Sequence, residues 1–305
     1  MRTEKKITSQ FSVLTSQLNK MKPLIIAHRG ASHFAPENTL AAFRRAISDS
    51  AEGFEFDVQI AKDGVPVVIH DFDLKRLARR EGLVKDFTSA ELGEIDVGSW
   101  FNLRHKARAN EAFSAETVPT FAQLLNLSEQ PALAGWSSVG KEDSSEHENQ
   151  PAHAGCSDFL LYVELKFADN EVEKLVETVG EMILQSEFLP QIKLNSFNLK
   201  AIKYAKENFP EIRTVALFEP EFRTVFRKQT SIFDAAQMHL ADEISLHYSL
   251  ATRKTVERAR ARNLPVTIWT VDQAVWVKRA LDLGLEAIIS NNPARLLAEK
   301  RNQTL

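Results

Sequence analysis

Short apolar runs alternate with amphipathic segments along most of the chain from residue 23 onward. The apolar runs have the length of buried strands, and they predict nine strands, over residues 24–27, 53–59, 65–70, 160–165, 193–197, 214–218, 243–246, 266–271 and 286–290. The amphipathic segments predict helices over 40–49, 171–186, 199–209, 253–263 and 274–284. This alternation is typical of a parallel sheet, and the number of units favours a closed (β/α)8 TIM barrel of the α/β class over an open sheet.

One connection between predicted strands is too short for a parallel crossover. Only Asp63 and Gly64 separate EFDVQIAK from VPVVIHD, whereas a crossover needs about a dozen residues. Asp-Gly is also a strong signal for a two-residue hairpin. We therefore predict that strands 2 and 3 are antiparallel, with Asp57 opposite His70 and Glu55 two residues further along the same face.

The remaining segments define the expected domain organisation. Residues 1–22 form a polar, basic N-terminal tail, and residues 23–305 form one barrel domain. The segment 71–120 is too long for a barrel connection and is interpreted as a small capping insertion over the barrel mouth. Residues 128–157 are rich in Gly, Pro, Ser and acidic residues, which predicts a disordered loop.

Composition and charge narrow the class of protein. The chain has 305 residues, 44% of them hydrophobic and 26% charged, as in ordinary globular proteins. The net charge of -3 gives no basic field for a nucleic-acid partner. The single Cys156 excludes an intramolecular disulfide, and no apolar run has the length of a signal peptide or a membrane span. We expect a cytoplasmic protein with a small-molecule substrate, and the sequence does not predict its oligomeric state.

Polar side chains at the ends of the predicted strands are the candidates for chemistry. His28 and His70 each end an apolar run, and two imidazoles can supply a general base and a general acid. Glu55 and Asp57 share one face of a strand, where buried carboxylates are costly unless they are paired or bind a metal. The alternative is a solvent-facing polar row with Gln59. In a barrel, the carboxyl ends of the strands carry the active site.

Later strands add further candidates. Glu164 would complete an oxygen-rich site suited to Mg²⁺ or Ca²⁺, and Lys166 would add a positive charge for phosphate. A structural ion pair between these two side chains is the alternative. Arg29 could donate two hydrogen bonds to a phosphate. Trp269 could line the substrate cavity or belong to the core, and His247 is interpreted as a structural or rim residue.

The order of several sequence segments resembles that of a known family. The segments HRGASHFAPENT, EFDVQIAKDGVPVVIHD, VPTFAQLL, VELK, SF and WTV occur in the order typical of glycerophosphodiester phosphodiesterases. The resemblance covers nearly all of residues 23–298. It implies a barrel of the phospholipase C-like phosphodiesterase type. It also implies hydrolysis of glycerophosphodiesters to glycerol 3-phosphate and an alcohol, with a divalent metal, Mg²⁺ or Ca²⁺.

The resemblance also implies roles for individual residues. Carried over by position, these are metal ligation by Glu55, Asp57 and Glu164, catalysis by His28 and His70, and phosphate contacts by Arg29 and Lys166. The chain departs from the family pattern at SNNP, residues 290–293, where members often have Thr-Asp before the proline. The role of that segment therefore stays open, as do the identity of the nucleophile and the choice of acid between the histidines.

Two other functions remain as alternatives. One is a lysophospholipase D or a phospholipase C-like lipid phosphodiesterase, for which Leu92, Trp100 and Phe101 could form an apolar ramp or simply the core of the insertion. The other is a non-catalytic barrel that binds a phosphorylated ligand, which the presence of all seven polar candidates disfavours. Neither a GxGxxG nor a P-loop motif follows the first strand, which argues against nucleotide binding.

Overall fold

The computed structural model describes residues 23–128, 159–167, 172–220 and 231–303. The predicted tail, Cys156 and all but the first residue of the predicted 128–157 loop lie outside the described residues. The described strands are β1 (Leu24–His28), β2 (Gly53–Ile60), β3 (Pro66–Val68), β4 (Leu160–Leu165), β5 (Ile192–Ser196), β6 (Arg213–Phe218), β7 (Glu243–His247), β8 (Val266–Trp269) and β9 (Ala287–Ser290).

The five predicted amphipathic segments are helical, and further helices occur that the pattern did not predict. The described α-helices are α1 (Leu40–Ser48), α2 (Lys75–Ala78), α3 (Ser89–Leu92), α4 (Ser99–Arg104), α5 (Phe121–Ser128), α6 (Val172–Leu184), α7 (Leu199–Asn208), α8 (Ile232–Met238), α9 (Arg253–Arg260), α10 (Val275–Leu283) and α11 (Pro293–Asn302). Within the described ranges, no helix is long and apolar enough to cross a bilayer.

Eight parallel strands close into a barrel. The strand order is β1-β9-β8-β7-β6-β5-β4-β2, and β1 also pairs with β2, which completes the ring. The short strand β3 lies outside this ring and pairs antiparallel with β2. The predicted TIM barrel with an antiparallel hairpin is therefore confirmed.

Alternate residues of the barrel strands have different environments. Phe54, Phe56 and Val58 of β2 belong to the main core between strands and helices. Because side chains alternate across a strand, Glu55 and Asp57 point into the barrel instead.

A buried ionic group fills the barrel at the amino-terminal end of the strands. Lys193 of β5 is 2% exposed, and its Nζ lies 2.8 Å from Oε2 of Glu243 and 2.8 Å from Oε1 of Glu286. Nζ also donates to the Tyr162 hydroxyl at 3.3 Å, and that hydroxyl lies 3.2 Å from Oγ1 of Thr267. Burial raises the pKa of Tyr162 to about 12, so the hydroxyl stays neutral.

The hairpin loop between β2 and β3 differs from the predicted two-residue turn. Ala61 N donates to Val65 O at 3.0 Å, so three residues form the loop, and Gly64 has φ of 82°. A three-residue loop that ends in a left-handed glycine is a common hairpin closure. The extra residue shifts the register by one, and the amide of Ile69, not His70, donates to Asp57 O at 3.0 Å. The predicted pairing of Asp57 with His70 is wrong.

His70 nevertheless reaches the barrel mouth, because the chain leaves the strand before it. Strand β3 ends at Val68, and the buried Gln59 side chain holds the following segment. Its Nε2 lies 2.9 to 3.0 Å from the carbonyl oxygens of Ile69, His70 and Asp71. Gln59 thus replaces strand pairing as the element that orients this turn.

The segment 71–120 contains α2, α3 and α4 and has a small core of its own. Leu92 belongs to this second cluster of buried side chains, and Trp100 packs against it. Phe101 is fully buried and packs against Trp100 and Phe113. Of the three residues considered for an apolar ramp, Leu92 and Phe101 therefore lie in the interior of this segment, and the partly buried Trp100 packs against it.

Candidate active site

A cavity of about 320 Å³ opens at the carboxyl ends of the barrel strands. Seven predicted site residues line it: His28, Arg29, Glu55, His70, Glu164, Lys166 and Trp269. Asp57 is fully buried and lies within contact distance of Arg29 and Lys166. The barrel thus brings all eight predicted residues together, although they come from five strands or strand ends.

Three carboxylates form the buried centre of the site. One oxygen of each of Glu55, Asp57 and Glu164 lies within 4.8 Å of the others. The side chains are 4%, 0% and 8% exposed, respectively. The alternative of a solvent-facing polar row is therefore wrong, and Gln59 is buried as well.

Two cations contact this centre. Arg29 Nε lies 3.1 Å from Oδ2 of Asp57. Lys166 Nζ lies 3.3 Å from Oδ1 of Asp57 and 2.5 Å from Oε1 of Glu164. The Glu164–Lys166 ion pair considered as an alternative is present, but Glu164 also belongs to the carboxylate cluster.

The pKa values indicate that the two cations do not balance the three carboxylates. Burial alone would raise the pKa of Asp57, but Arg29 and Lys166 hold it well below its usual range. Burial and the charge of Asp57 raise the pKa of both Glu55 and Glu164. The centre therefore carries excess negative charge when it is fully ionised, and its hard oxygen donors suit a divalent cation.

The loop between β1 and α1 has a fixed conformation that positions side chains against the charged centre. Gly30 has φ of 76°, and a Cβ there would lie 2.6 Å from the carbonyl carbon of Ala42, so the turn requires glycine. Thr39 caps α1 by accepting a hydrogen bond from Ala42 N at 3.3 Å. The helix begins at Leu40, as the amphipathic pattern predicts.

Two residues of this loop contact the site directly, and sequence reasoning missed both. Asn38 Nδ2 donates to Oδ2 of Asp57 at 2.9 Å. Arg29 NH1 donates to Oε1 of Glu37 at 2.7 Å. The sequence signal that could have revealed them is the segment APENT, residues 35–39, which contains both.

His28 has an amide as its hydrogen-bond partner. Asn291 Nδ2 donates to Oδ2 of Asp272 at 2.9 Å, which turns the amide oxygen towards His28. His28 Nδ1 donates to that oxygen at 2.6 Å, and Nε2 lies 3.7 Å from Oε2 of Glu55. Burial and the charge of Arg29 lower the pKa of His28 to about 4. Asn291 lies in the SNNP segment, whose role the sequence left open.

His70 has a carboxylate as its partner instead. Its Nδ1 donates to Oδ1 of Asp71 at 2.7 Å. The Asp71 carboxylate and the Asn291 amide each fix the orientation of the ring that donates to them, but only the carboxylate carries a charge. The two histidines therefore have different electrostatic environments.

Aromatic and apolar side chains form the opposite wall of the cavity. Trp269 packs edge-on against Phe197 at 5.4 Å and against His247 at 5.5 Å, so His247 is a rim residue, as predicted. Asn195 points into the same cavity and is 1% exposed. Neither amide atom of Asn195 has a hydrogen-bond partner among the described residues.

The chain is similar to known proteins over most of its length. The model of the glycerophosphoryl diester phosphodiesterase family matches residues 28–295. The chain belongs to this family. A glycerophosphodiester phosphodiesterase of Caldanaerobacter subterraneus subsp. tengcongensis is 30% identical over 280 residues, which cover 91% of this chain and 97% of that protein. A Mycobacterium tuberculosis protein named probable glycerophosphodiester phosphodiesterase 1 is 45% identical over 283 residues, covering 90% and 92%.

Solved structures have the same fold. An Oleispira antarctica phosphodiesterase, solved with its product sn-glycerol-3-phosphate, superimposes with a TM-score of 0.71 at 25% identity, over 92% of this chain and 98% of that chain. A Silicibacter pomeroyi structure superimposes with a TM-score of 0.76 at 24% identity, over 94% and 95%. The family membership predicted from the motifs is thus confirmed. In the present protein, the residues of the sequence motifs meet at the barrel mouth. They are joined there by Glu37, Asn38, Asn195 and Asn291.

Proposed function

We propose that this chain hydrolyses glycerophosphodiesters to glycerol 3-phosphate and an alcohol, with Mg²⁺ or Ca²⁺ as cofactor. The observation that carries the proposal is one cavity that is lined by two cations, two histidines and two of three clustered carboxylates, with the third buried directly behind them. The product in the Oleispira antarctica structure is the one expected for this reaction.

The residues that would hold the cation are Glu55, Asp57 and Glu164. Within the described residues, Oδ1 of Asp57 and Oε1 of Glu164 are buried, and the Lys166 ammonium contacts both of them. With Arg29 and Lys166 as the cations of the cluster, the three ionised carboxylates retain one unbalanced negative charge, which supports a bound divalent cation as a further partner. When bound, the cation would neutralise charge that develops on the phosphate oxygens.

Phosphate binding is assigned to Arg29 and Lys166. Both side chains line the cavity and are mostly buried, at 17% and 16% exposure. Asp57 contacts both of them, so one carboxylate holds the two cations at the same depth in the barrel. Their positive charges would then face the two nonbridging oxygens of a bound phosphodiester.

The different hydrogen-bond partners of the two histidines support different catalytic roles for them. Because Nδ1 of His28 donates to the Asn291 amide, the lone pair of the neutral ring is on Nε2. His28 would therefore take a proton from the nucleophile, which is water or the glycerol 2-hydroxyl. Attack by the hydroxyl would form a cyclic phosphate, which water would then open to glycerol 3-phosphate. His70, with Asp71 behind Nδ1, would carry a proton on Nε2 and give it to the leaving alcohol oxygen as its bond to phosphorus breaks.

The test is a product assay on purified protein. Glycerophosphocholine and lysophosphatidylcholine would be incubated separately with the protein and Mg²⁺ or Ca²⁺. We expect glycerol 3-phosphate and choline from the first substrate. Glycerol with phosphocholine would show cleavage of the other ester bond and would contradict the proposal. Faster cleavage of lysophosphatidylcholine would favour the lipid alternative, which the burial of Leu92 and Phe101 no longer supports.

Removal of metal is expected to abolish activity. The three carboxylates repel one another and a phosphodiester, so the metal-free site should bind substrate poorly. The measurement is turnover after EDTA treatment and desalting, followed by addition of Mg²⁺ or Ca²⁺. Full turnover in protein shown by elemental analysis to be metal-free would remove the proposed role of the carboxylates.

Metal binding should also stabilise the protein more strongly at pH 8 than at pH 5. Because Glu55 and Glu164 have raised pKa values, these two carboxyl groups bind more protons in the metal-free folded state than in the unfolded state. Their contribution to the stability of that state therefore falls as the pH rises above the ordinary carboxyl pKa, and a cation has to displace their protons at low pH. At one hundred times Kd we expect a rise in Tm of about 5 °C at pH 8. An equal shift at both pH values, or in Glu55→Gln, would contradict this.

A further inference from the structure

We propose that Arg76, in the segment 71–120, is a positioning residue of the active site. It holds the two carboxylates that orient the phosphate-binding arginine and the acid histidine. The inference rests on the roles proposed above for Arg29 and His70. By this proposal, the segment 71–120 supplies part of the framework that positions the active-site residues.

The geometry starts from a single guanidinium with two carboxylate partners. Arg76 lies on α2, and its NH1 and NH2 donate to Oε2 and Oε1 of Glu37 at 2.9 and 2.7 Å. Its Nε donates to Oδ2 of Asp71 at 2.5 Å. The guanidinium also lies 5.7 Å from the ring centroid of Trp100. Two parallel hydrogen bonds and an aromatic neighbour fix a guanidinium far more tightly than one surface ion pair does.

Each of the two carboxylates also accepts a hydrogen bond from a residue that lines the cavity. Oε1 of Glu37 also accepts a hydrogen bond from Arg29 NH1 at 2.7 Å. Oδ1 of Asp71 accepts a hydrogen bond from His70 Nδ1 at 2.7 Å. Arg76 does not line the cavity, so it acts on the reaction only through these two neighbours.

The charges explain why this link is needed. Arg29 lies between Glu37 and Asp57, at 2.7 and 3.1 Å. Without Arg76, the full charge of Glu37 would act on Arg29 and the Glu37 side chain would lose its second anchor. Asp71 would lose its arginine partner, which leaves it free to turn away from His70. Both changes would displace groups of the site, and a misplacement of about 1 Å is costly in catalysis.

The test compares Arg76→Ala with Lys75→Ala, a neighbouring exposed lysine on the same helix that pairs with Glu81. We expect Arg76→Ala to lower kcat/KM for glycerophosphocholine by about 10- to 100-fold. We expect Lys75→Ala to stay within about 2-fold of the wild type. Arg76→Lys, which keeps the charge but loses the fork, should recover only part of the loss. Circular dichroism and Tm establish that each variant is folded.

Two further readouts separate positioning from a general loss of structure. Binding of inorganic phosphate, measured by calorimetry with Mg²⁺ present, should weaken in Arg76→Ala because Arg29 is displaced. Glu37→Gln should weaken it as well, and the double variant should be no worse than the more impaired single variant, because both changes act through one network. Additive losses in the double variant would overturn the proposal.

The outcomes distinguish this proposal from the proposed function. If the wild type releases glycerol 3-phosphate and folded Arg76→Ala matches Lys75→Ala in kcat, KM and phosphate affinity, the positioning role is wrong and the function stands. If the wild type hydrolyses no glycerophosphodiester, the proposed function fails, and the phosphate-binding comparison still decides whether Arg76 positions Arg29.

Discussion

Replacing His28 or His70 by alanine is expected to lower kcat by about 10²- to 10⁴-fold, the usual contribution of a positioned acid or base. The two variants should differ in their response to the leaving group. A glycerophosphodiester of p-nitrophenol releases a stable phenolate that needs no proton. This substrate should therefore restore much of the activity of His70→Ala, the proposed acid, and little of that of His28→Ala, the proposed base.

The measurement is kcat for the p-nitrophenyl ester and for glycerophosphocholine in both variants, with His247→Ala as the matched control. His247 is a rim histidine that contacts Trp269 and Ser249 but does not line the cavity. Rescue of His28→Ala by the activated ester, with none for His70→Ala, would exchange the two roles. Wild-type turnover in either variant would exclude acid–base catalysis by that histidine.

The sequence predicted the barrel and the members of the site because both depend on regular patterns. Apolar runs of strand length locate the strands, and the carboxyl ends of parallel strands meet at one mouth. The position of His70 shows the limit of such reasoning. Its proximity to Asp57 was predicted from a two-residue turn, whereas a three-residue loop and the buried Gln59 side chain place it there.

Two of the residues that the sequence did not reveal make contacts that are distant along the chain. Asn291 lies 263 residues after His28, and Arg76 lies 39 residues after Glu37. No sequence periodicity relates such pairs. Only the folded structure shows that the hydrogen-bond partner of His28 is an amide and that of His70 is a carboxylate. This difference is what allows distinct roles to be proposed for two residues that the sequence treats alike.

The buried ionic group around Lys193 lies at the amino-terminal end of the barrel strands and has no part in the proposed chemistry. Its burial predicts that mutation of this group has a large effect on the free energy of unfolding. Lys193 is buried with Glu243, which is 1% exposed, and with Glu286. Burial alone would lower the pKa of Lys193, but Tyr162, Glu243 and Glu286 raise it above its ordinary value, so the amine stays charged. Lys193→Ala would leave two neighbouring carboxylates without their shared cation, although Arg213 still contacts Glu243 from the surface.

Lys193→Ala is therefore expected to reduce the free energy of unfolding by about 3–5 kcal/mol, the usual cost of leaving a buried charge unpaired. The matched control is Lys203→Ala, because Lys203 is 47% exposed and pairs with Glu207 on the same helix, where about 0.5 kcal/mol or less is expected. Urea unfolding followed by fluorescence measures both. Adding Glu243→Gln to Lys193→Ala should recover part of the loss by removing one of the unpaired charges. Equal stability of Lys193→Ala and Lys203→Ala would mean that the protein relaxes or takes up protons at no cost, and the buried ion group would then contribute nothing to the barrel.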